Sequence, residues 1–361
     1  MRRGGLAMFD WPLSSSVAYL TGGTSRIPRL VHYSSASWER SVRNKHSLFA
    51  DYGIGTADRG AICTPFEPWS IGRIHMEAAL RTGAKVLPLG LTLDQDATLR
   101  ILADFNPTFI CGGARYLARA GRRLREIVPS FGRPAYLFVA GEKLLSQLRS
   151  ECAAVWDAKV VDIYGMAEFD MVGYEAPHKQ GEFKLSSDLL YALRVESGHT
   201  SEMLRPGMTG ELAIRSDATG AWHYTGDVVT VVHADDHASE IPSCISIVFD
   251  HRLETTIVLG EGTKIIEAQI VKLLDDAQLS YGQLRVYRTN QGDRLVLAIP
   301  AASTLSDADI IAALFDANVD LADSVRCKIA DVTVSREAAE SLFHTSRGKA
   351  PLIVEIADDP P

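Results

Sequence analysis

From Ala61 to Ile163 the apolar positions switch repeatedly between two periods. Short β-branched runs alternate with stretches whose apolar residues recur every three or four positions, the spacing of one helix face. Ala61–Thr64, Lys85–Leu89, Thr108–Cys111, Ala135–Val139 and Lys159–Ile163 read as strands, while Gly72–Thr82, Leu93–Asp104, Ala114–Val128 and Leu144–Trp156 read as helices. Strands separated by such helices require crossover connections and a parallel sheet.

Beyond Glu168 the pattern changes. Glycine- and charge-rich segments alternate with short strands such as Glu211–Arg215 and Val228–Val232, which suits an irregular, largely antiparallel region. Near His251 it changes again. A strand at Thr255–Leu259, a helix at Ile265–Ala277 and a hairpin of Leu284–Thr289 with Arg294–Pro300, turning at Asn290-Gln291-Gly292-Asp293, are expected. A helix then opens at Ser306, where Asp307 and Asp309 supply the N-terminal charge that the helix dipole favours. Strand Ile329–Ser335 and helix Arg336–Phe343 complete the series. The predicted class is α/β: a large N-terminal domain, residues 1–250, with a parallel sheet plus an antiparallel β region, and a small mobile α+β domain, residues 251–361. The length of 361 residues agrees, because one core rarely grows beyond about 250–300 residues.

Composition narrows the class. With 46% apolar and 23% charged residues the chain can bury a sizeable core. The net charge is −8, and the basic residues are scattered apart from Arg115, Arg119, Arg122, Arg123 and Arg125, so nucleic acid is not an expected partner. Five cysteines lie far apart without C-x-x-C spacing, the pattern of a reduced, cytoplasmic protein without a disulfide framework or zinc site. No apolar run is long enough for a membrane span, and none follows Arg2-Arg3 as in a signal peptide.

Candidate chemistry sits in four fragments. In Thr21-Gly22-Gly23-Thr24-Ser25-Arg26-Ile27-Pro28 the glycines let successive N–H groups turn toward one anion and the hydroxyls add donors, which suits phosphate oxygens. The apolar run Val160–Ile163 stops at Tyr164-Gly165 and delivers Glu168 just beyond, where a parallel sheet places ligands. An aromatic ring there can cover a flat heterocycle, and a carboxylate can reach a hydrated Mg²⁺. In His223-Tyr224-Thr225-Gly226-Asp227 the aspartate at a glycine turn can accept two hydrogen bonds from a ribose diol. The last fragment, His344-Thr345-Ser346-Arg347-Gly348-Lys349-Ala350-Pro351, is a basic loop near the end of the chain. Each fragment alone is also what an ordinary turn produces.

Together and in this order they resemble the adenylate-forming superfamily of acyl-CoA synthetases, nonribosomal adenylation domains and firefly luciferase, most closely its phenylacetate-CoA ligase and coenzyme F390 synthetase branch. The family's S-S-G-T-T-G-K-P loop is similar to Leu20–Pro28, its G-A/G-E-P segment to Ala140-Gly141-Glu142-Lys143, and Y-G-x-T-E to Tyr164–Glu168. Y-x-T-G-D matches Tyr224–Asp227, the hinge G-R-x-D-D-x-I looks like His251–Ile257, and the catalytic G-K-x is similar to Gly348-Lys349-Ala350.

The resemblance implies activation of a carboxylic acid by ATP and Mg²⁺ to an acyl-adenylate, followed by transfer to a thiol, from CoA or a carrier-protein arm, or to an amine. Lys349 would bridge the carboxylate and α-phosphate, and Glu168 would hold Mg²⁺. Asp227 with Arg252 would fix the ribose. Tyr164 would cover adenine, with Gly141 and Glu142 at its edge, Gly165 would be among the nucleotide-binding residues, and Thr21, Gly22, Gly23, Thr24 and Ser25 would cradle phosphate. The segment from Arg252 to Thr255 would be the hinge. Phe66, Glu67 and Trp69, with Gly112 and Gly113, would line the acyl pocket, where Phe66 and Trp69 would suit a flat or aromatic acid and Glu67 among them an amino group, so an aryl or amino-substituted acid is expected. A homodimer is compatible with the chain.

Three departures stand against the family pattern. Arg26-Ile27 replaces Gly-Lys, Ala167 replaces a threonine, and the N-terminal helical segment of the family is mostly missing, so a shortened member is expected. The rival reading is a catalytically silent nucleotide- or partner-binding protein of the same fold.

Overall fold

The structure, a computed structural model, describes residues 16–20, 30–195, 198–215, 220–235, 244–253, 257–259, 263–289, 292–328, 330–343 and 350–356. A hairpin of β1 (Val17–Leu20) and β2 (Leu30–Tyr33) leads into α1 (Ser35–Asp51). The crossover series follows: β3 (Arg59–Cys63), α2 (Ile71–Arg81), β4 (Lys85–Pro88), α3 (Asp96–Phe105), β5 (Phe109–Gly112), α4 (Ala114–Ile127), β6 (Tyr136–Ala140), α5 (Ser146–Trp156) and β7 (Lys159–Met166). These strands pair in parallel in the order β4-β3-β5-β6-β7.

Because side chains alternate across a strand, the parallel strands feed two cores. Ala61, Ile110, Leu137 and Val160 face α3, α4 and α5, packing with Leu102, Leu117, Leu124 and Trp156. Their neighbours Ile62, Phe109, Phe138 and Val161 face α1 and α2, with Phe49 and Ile74. Both faces are covered, which is why these runs are continuously apolar. Phe49 meets Phe138 edge-on at 5.3 Å. On the opposite face a Cβ at Gly121 of α4 would lie 2.4 Å from Val155, so glycine is what lets α4 approach α5.

After β7 the sheet continues antiparallel through β8 (Asp170–Glu175), β9 (Phe183–Leu185), β10 (Tyr191–Arg194), β11 (Thr200–Ser201), β12 (Thr209–Arg215), β13 (Trp222–Ala234) and β14 (Ile245–Arg252). The result is one 12-stranded sheet in the order β11-β10-β12-β13-β14-β9-β8-β7-β6-β5-β3-β4. β15 (Ile257–Val258) and β16 (Lys264–Ile265) pair with each other. There follow α6 (Glu267–Asp276), β17 (Gln283–Thr289), β18 (Gly292–Pro300), α7 (Asp307–Ala317), α8 (Val319–Arg326), β19 (Ala330–Glu337) and β20 (Ile353–Ile356). Four of these strands form a separate mixed sheet, β19-β18-β17-β20. Ser306 caps α7 as expected, its hydroxyl accepting from the Asp309 N–H at 3.1 Å.

Several elements differ from the sequence expectation. α1 and α8 were not anticipated. The predicted helix Arg336–Phe343 is instead the end of β19 followed by a single 3₁₀ turn, Ala339–Ser341. Its strand character is held by the Pro300–Glu337 pairing and by Arg285, which binds both Glu337 carboxylate oxygens at 2.9 and 2.8 Å. β7 does not stop at Tyr164-Gly165 but runs to Met166. The arginines of α4 do not form an open basic patch: Arg123 bonds Asp96 and Glu126, Arg122 meets Glu151, and Arg115 meets Glu142. Among the described residues no helix is long and apolar enough to cross a membrane.

Candidate active site

The turn at the end of β7 is built by one glycine. β7 and β8 pair with an irregularity between Tyr164 and Gly165, and a Cβ at Gly165 would lie 2.4 Å from the Asp170 carbonyl oxygen. Only glycine fits there, so the hairpin closes tightly over Ala167, Glu168 and Phe169. Glu168 stands half-buried at this turn. From the other side the buried Tyr33 donates its hydroxyl to the Ala167 carbonyl at 2.7 Å, which fastens β2 to the turn. Burial, reinforced by the nearby Asp170 charge, holds the Tyr33 phenol protonated far above its usual range.

Tyr164 projects toward β13 and β14. Its hydroxyl donates to Asp227 Oδ2 at 2.7 Å, and its ring meets Phe249 edge-on at 4.5 Å. Asp227 is paired across the ladder with Arg252, whose Nε lies 3.2 Å from Oδ1. Burial raises the Asp227 carboxyl, while Arg252 and the Tyr164 hydroxyl pull it back toward the ionised form. Tyr164 is held protonated well above the usual phenol range, first by burial and then by the Asp227 charge.

Asp227 is aimed by a residue whose role the sequence did not disclose. The buried carboxylate of Glu211 accepts from the Gly226 N–H at 2.9 Å and also meets Arg194, while the Thr225 hydroxyl accepts from the Asp227 N–H at 3.1 Å. Gly226 has φ 76°, a left-handed conformation that glycine adopts freely. Lys143, in sequence only the last residue of the Ala140–Lys143 segment, takes part as well. Its ammonium lies 5.7 Å from the centre of the Phe249 ring and pulls on Asp227, so the segment after β6 converges on the same place. Gly141, at φ 94°, makes the turn into that segment. Glu142 accepts from the Arg115 N–H at 3.0 Å and lies 2.9 Å from the Arg115 guanidinium, so its carboxylate caps α4 beside Gly113. Gly112 packs under Leu117, where a Cβ would come within 2.9 Å.

The residues expected to line the acyl pocket divide. Phe66 is partly buried against the core between the sheet and α2, and Trp69 is half-buried. The Glu67 carboxylate does not lie among these aromatics: it is 61% exposed and ion-paired with Arg73 at 2.5 Å, so its charge is already compensated at the surface. Pro68 accepts from the Leu20 N–H at 3.0 Å, which ties this segment to the end of β1.

Thr21, Gly22, Gly23, Thr24 and Ser25, with Arg26 and Ile27, lie outside the described residues, as do Gly348, Lys349 and the hinge residues Glu254 and Thr255. The frames that carry the first and last of these are described. Residues 21–29 join β1 to β2, whose terminal residues Leu20 and Leu30 are paired. Around residues 344–349 the fully buried Gln283 clamps both flanks: it accepts from the Phe343 N–H at 2.8 Å and donates to the Phe343 and Pro351 carbonyls at 2.9 and 3.0 Å.

Among solved structures the chain is similar to 2-hydroxyisobutyryl-CoA ligase in complex with 2-HIB-AMP, with a TM-score of 0.68 and 16% identity over 95% of this chain and 74% of that one. It is similar to the amide bond synthetase McbA from Marinactinospora thermotolerans, with a TM-score of 0.67 and 18% identity over 94% of this chain and 67% of that one. The anthranilate CoA ligase AuaEII in complex with anthranoyl-AMP gives a TM-score of 0.64 and 16% identity over 92% and 64%. The chain has the fold of the adenylate-forming ligases. No family model matches the sequence, and no curated protein matches it. In this adenylate-forming fold the Tyr164–Asp227 pair, Arg252 and the Glu168 turn stand on the carboxyl side of the parallel strands, where open α/β sheets bind ligands.

Proposed function

We propose that the protein activates a carboxylic acid with ATP to an acyl-adenylate and then passes the acyl group to a thiol, from CoA or a carrier-protein arm, or to an amine. The observation that carries this reading is the convergence of Tyr164, Asp227 and Arg252 at one end of the sheet. One phenol and one guanidinium hold a buried carboxylate in place there, on a strand three positions from β8, which begins just after the Glu168 turn.

In this reading Asp227, oriented by Tyr164 and Arg252, accepts the hydroxyls of the ribose. Its remaining lone pairs suit a diol, and a charge-assisted bond to an ionised carboxylate is strong. Glu168 fits Mg²⁺: magnesium takes one or two carboxylates and completes its shell with phosphates and water, and this carboxylate is partly exposed on a rigid turn. The bound ion supplies charge neutralisation. A carboxylate oxygen of the acid attacks the α-phosphorus, the bond to the β-phosphate oxygen breaks, and pyrophosphate departs. Lys349 neutralises charge developing on the acid and α-phosphate, an electrostatic contribution that is commonly the largest in such transfers. The C-terminal unit, turning about residues near Arg252, then admits the thiol or amine. A cytoplasmic setting and a phenylacetate-CoA ligase-like branch belong to the same reading, supported by the scattered cysteines and the motif order.

Pyrophosphate release with ATP, Mg²⁺ and a panel of acids tests it, comparing the wild type with Lys349→Ala. At least one acid is expected to give release about a hundred-fold above the variant. If none exceeds it while ATP still binds, the protein is a silent nucleotide-binding member of the fold. The absence of a loop lysine at Ile27 and of a hydroxyl at Ala167 makes that outcome chemically coherent.

A further inference from the structure

Gly141 and Glu142, the expected adenine-edge residues, lie on the connection from β6 to α5, residues 141–145. α5 opens at Ser146 with no capping side chain from Leu145 and no acidic residue in its first turn. Its first N–H is satisfied from far along the chain. Asp275, in the last turn of α6 in the C-terminal unit, accepts from the Ser146 N–H through Oδ1 at 3.0 Å. The first N–H groups of a helix have no partner within it and carry partial positive charge, so a carboxylate is their matching acceptor.

The middle of the connection is held from the same unit. Glu142 accepts from the Arg115 N–H at 3.0 Å and lies 2.9 Å from Arg115 Nε. The Arg115 guanidinium in turn lies over the Tyr281 ring, 5.9 Å from its centre, within the range of about 6 Å at which a cation is attracted to an aromatic face. Asp275 and Tyr281 belong to one packed surface. A Cβ at Gly282 would lie 2.5 Å from Leu274, so glycine lets the chain entering β17 close on α6, and the Tyr281 hydroxyl donates to the Glu337 carbonyl at 2.8 Å. A third contact, Arg119 with Glu340 at 3.8 Å, joins two exposed side chains and contributes little.

Resting on the adenylation reading, we propose that Asp275 and Tyr281 are positioning residues for the nucleotide: from the C-terminal unit they fix residues 141–145, so nucleotide binding and the docking of that unit on α4 and α5 strengthen each other. Asp275 acts through the Ser146 N–H, and Tyr281 acts through Arg115 and Glu142. The coupling is reciprocal by thermodynamic linkage. A unit that swings away uncaps α5 and frees Arg115 in one movement, and the adenine-edge segment loses both anchors. Turning toward the second half-reaction is thereby tied to a looser hold on AMP, the product that must leave.

The test is calorimetric titration of the full chain with AMP. Asp275→Ala and Tyr281→Leu are each expected to bind AMP at least about five-fold more weakly than the wild type, the lower end of typical couplings between sites. Asp275→Asn keeps an oxygen acceptor and Tyr281→Phe keeps the ring, so both should stay within about two-fold of the wild type. Tyr281→Leu combined with Arg115→Leu should bind no more weakly than Arg115→Leu alone, because the ring acts through the guanidinium. Wild-type affinity in either Asp275→Ala or Tyr281→Leu overturns the proposal, as do equal losses in the conservative variants or additive losses in the double variant. Each of these leaves the adenylation reading standing, and pyrophosphate release from the acid panel reports on that reading separately. Failure of the wild type to bind AMP overturns both.

Discussion

The Tyr164 hydroxyl donates to Asp227 Oδ2 at 2.7 Å, joining the last parallel strand to a strand four positions away in the same sheet. Tyr164→Phe leaves a buried carboxylate oxygen with one donor fewer. The expected cost is about 1–3 kcal/mol in urea unfolding, accompanied by weaker AMP binding. Weaker binding with unchanged stability would show that Tyr164 touches nucleotide without fixing Asp227.

Glu168→Gln preserves shape and removes charge. Acid-dependent pyrophosphate release is expected to fall about a hundred-fold and to require more Mg²⁺, with thermal stability unaltered because the carboxylate is only half-buried. A variant that keeps wild-type Mg²⁺ dependence would remove Glu168 from the metal role.

Glu211 acts on Asp227 through the Gly226 N–H. Glu211→Ala should cost about 2 kcal/mol by stranding that N–H in a buried ladder. Glu211→Gln keeps the acceptor and should cost half as much or less. Chemical denaturation of the pair decides, since equal losses would mean that the ion pair with Arg194 dominates.

Gln283 accepts or donates at both flanks of residues 344–349. Gln283→Leu should lose about 2–3 kcal/mol and accelerate tryptic cleavage at Arg347 and Lys349. Unchanged digestion kinetics would show that the flanks hold without the clamp.

Asp162, beside Glu175, is pushed up to about 7 by burial and by the Glu175 charge. The folded protein therefore holds a proton that the unfolded chain releases near its ordinary value of 3.8. Native protein binds more protons between these limits, so this group's contribution to stability is present below about pH 4 and is lost as pH rises to about 7. Asp162→Asn should remove a fall of a few kcal/mol across that window, measured by melts at a series of pH values. An identical pH profile in the variant would exclude Asp162 as its source.

The parallel half was legible because both faces of its strands are covered and its helices bury ordinary apolar stripes, as Leu117 and Leu124 show on α4. α1 was not, and the reason is chemical. Its buried face carries Arg40, Ser41, Asn44 and Lys45 among the apolar residues, which erases the helical period that pattern reading depends on. α8 is short and rests on its Asn318 cap, whose side chain accepts from the Leu321 N–H. At the site, Tyr164, Asp227 and Arg252 could be named from their turns, whereas Glu211 and Gln283 act through long-range hydrogen bonds and Lys143 through its charge, roles that no local pattern discloses. Glu67 misled because an i,i+6 partner, Arg73, is invisible to motif reading.

Leu20 and Leu30 face each other at the end of the first ladder, and Leu20 is also anchored to Pro68. The chain thus departs for residues 21–29 and returns at a single fixed gate. The end-to-end separation of that segment is therefore dictated by the first ladder, and any replacement carrying a lysine at the Ile27 position has to meet this boundary condition.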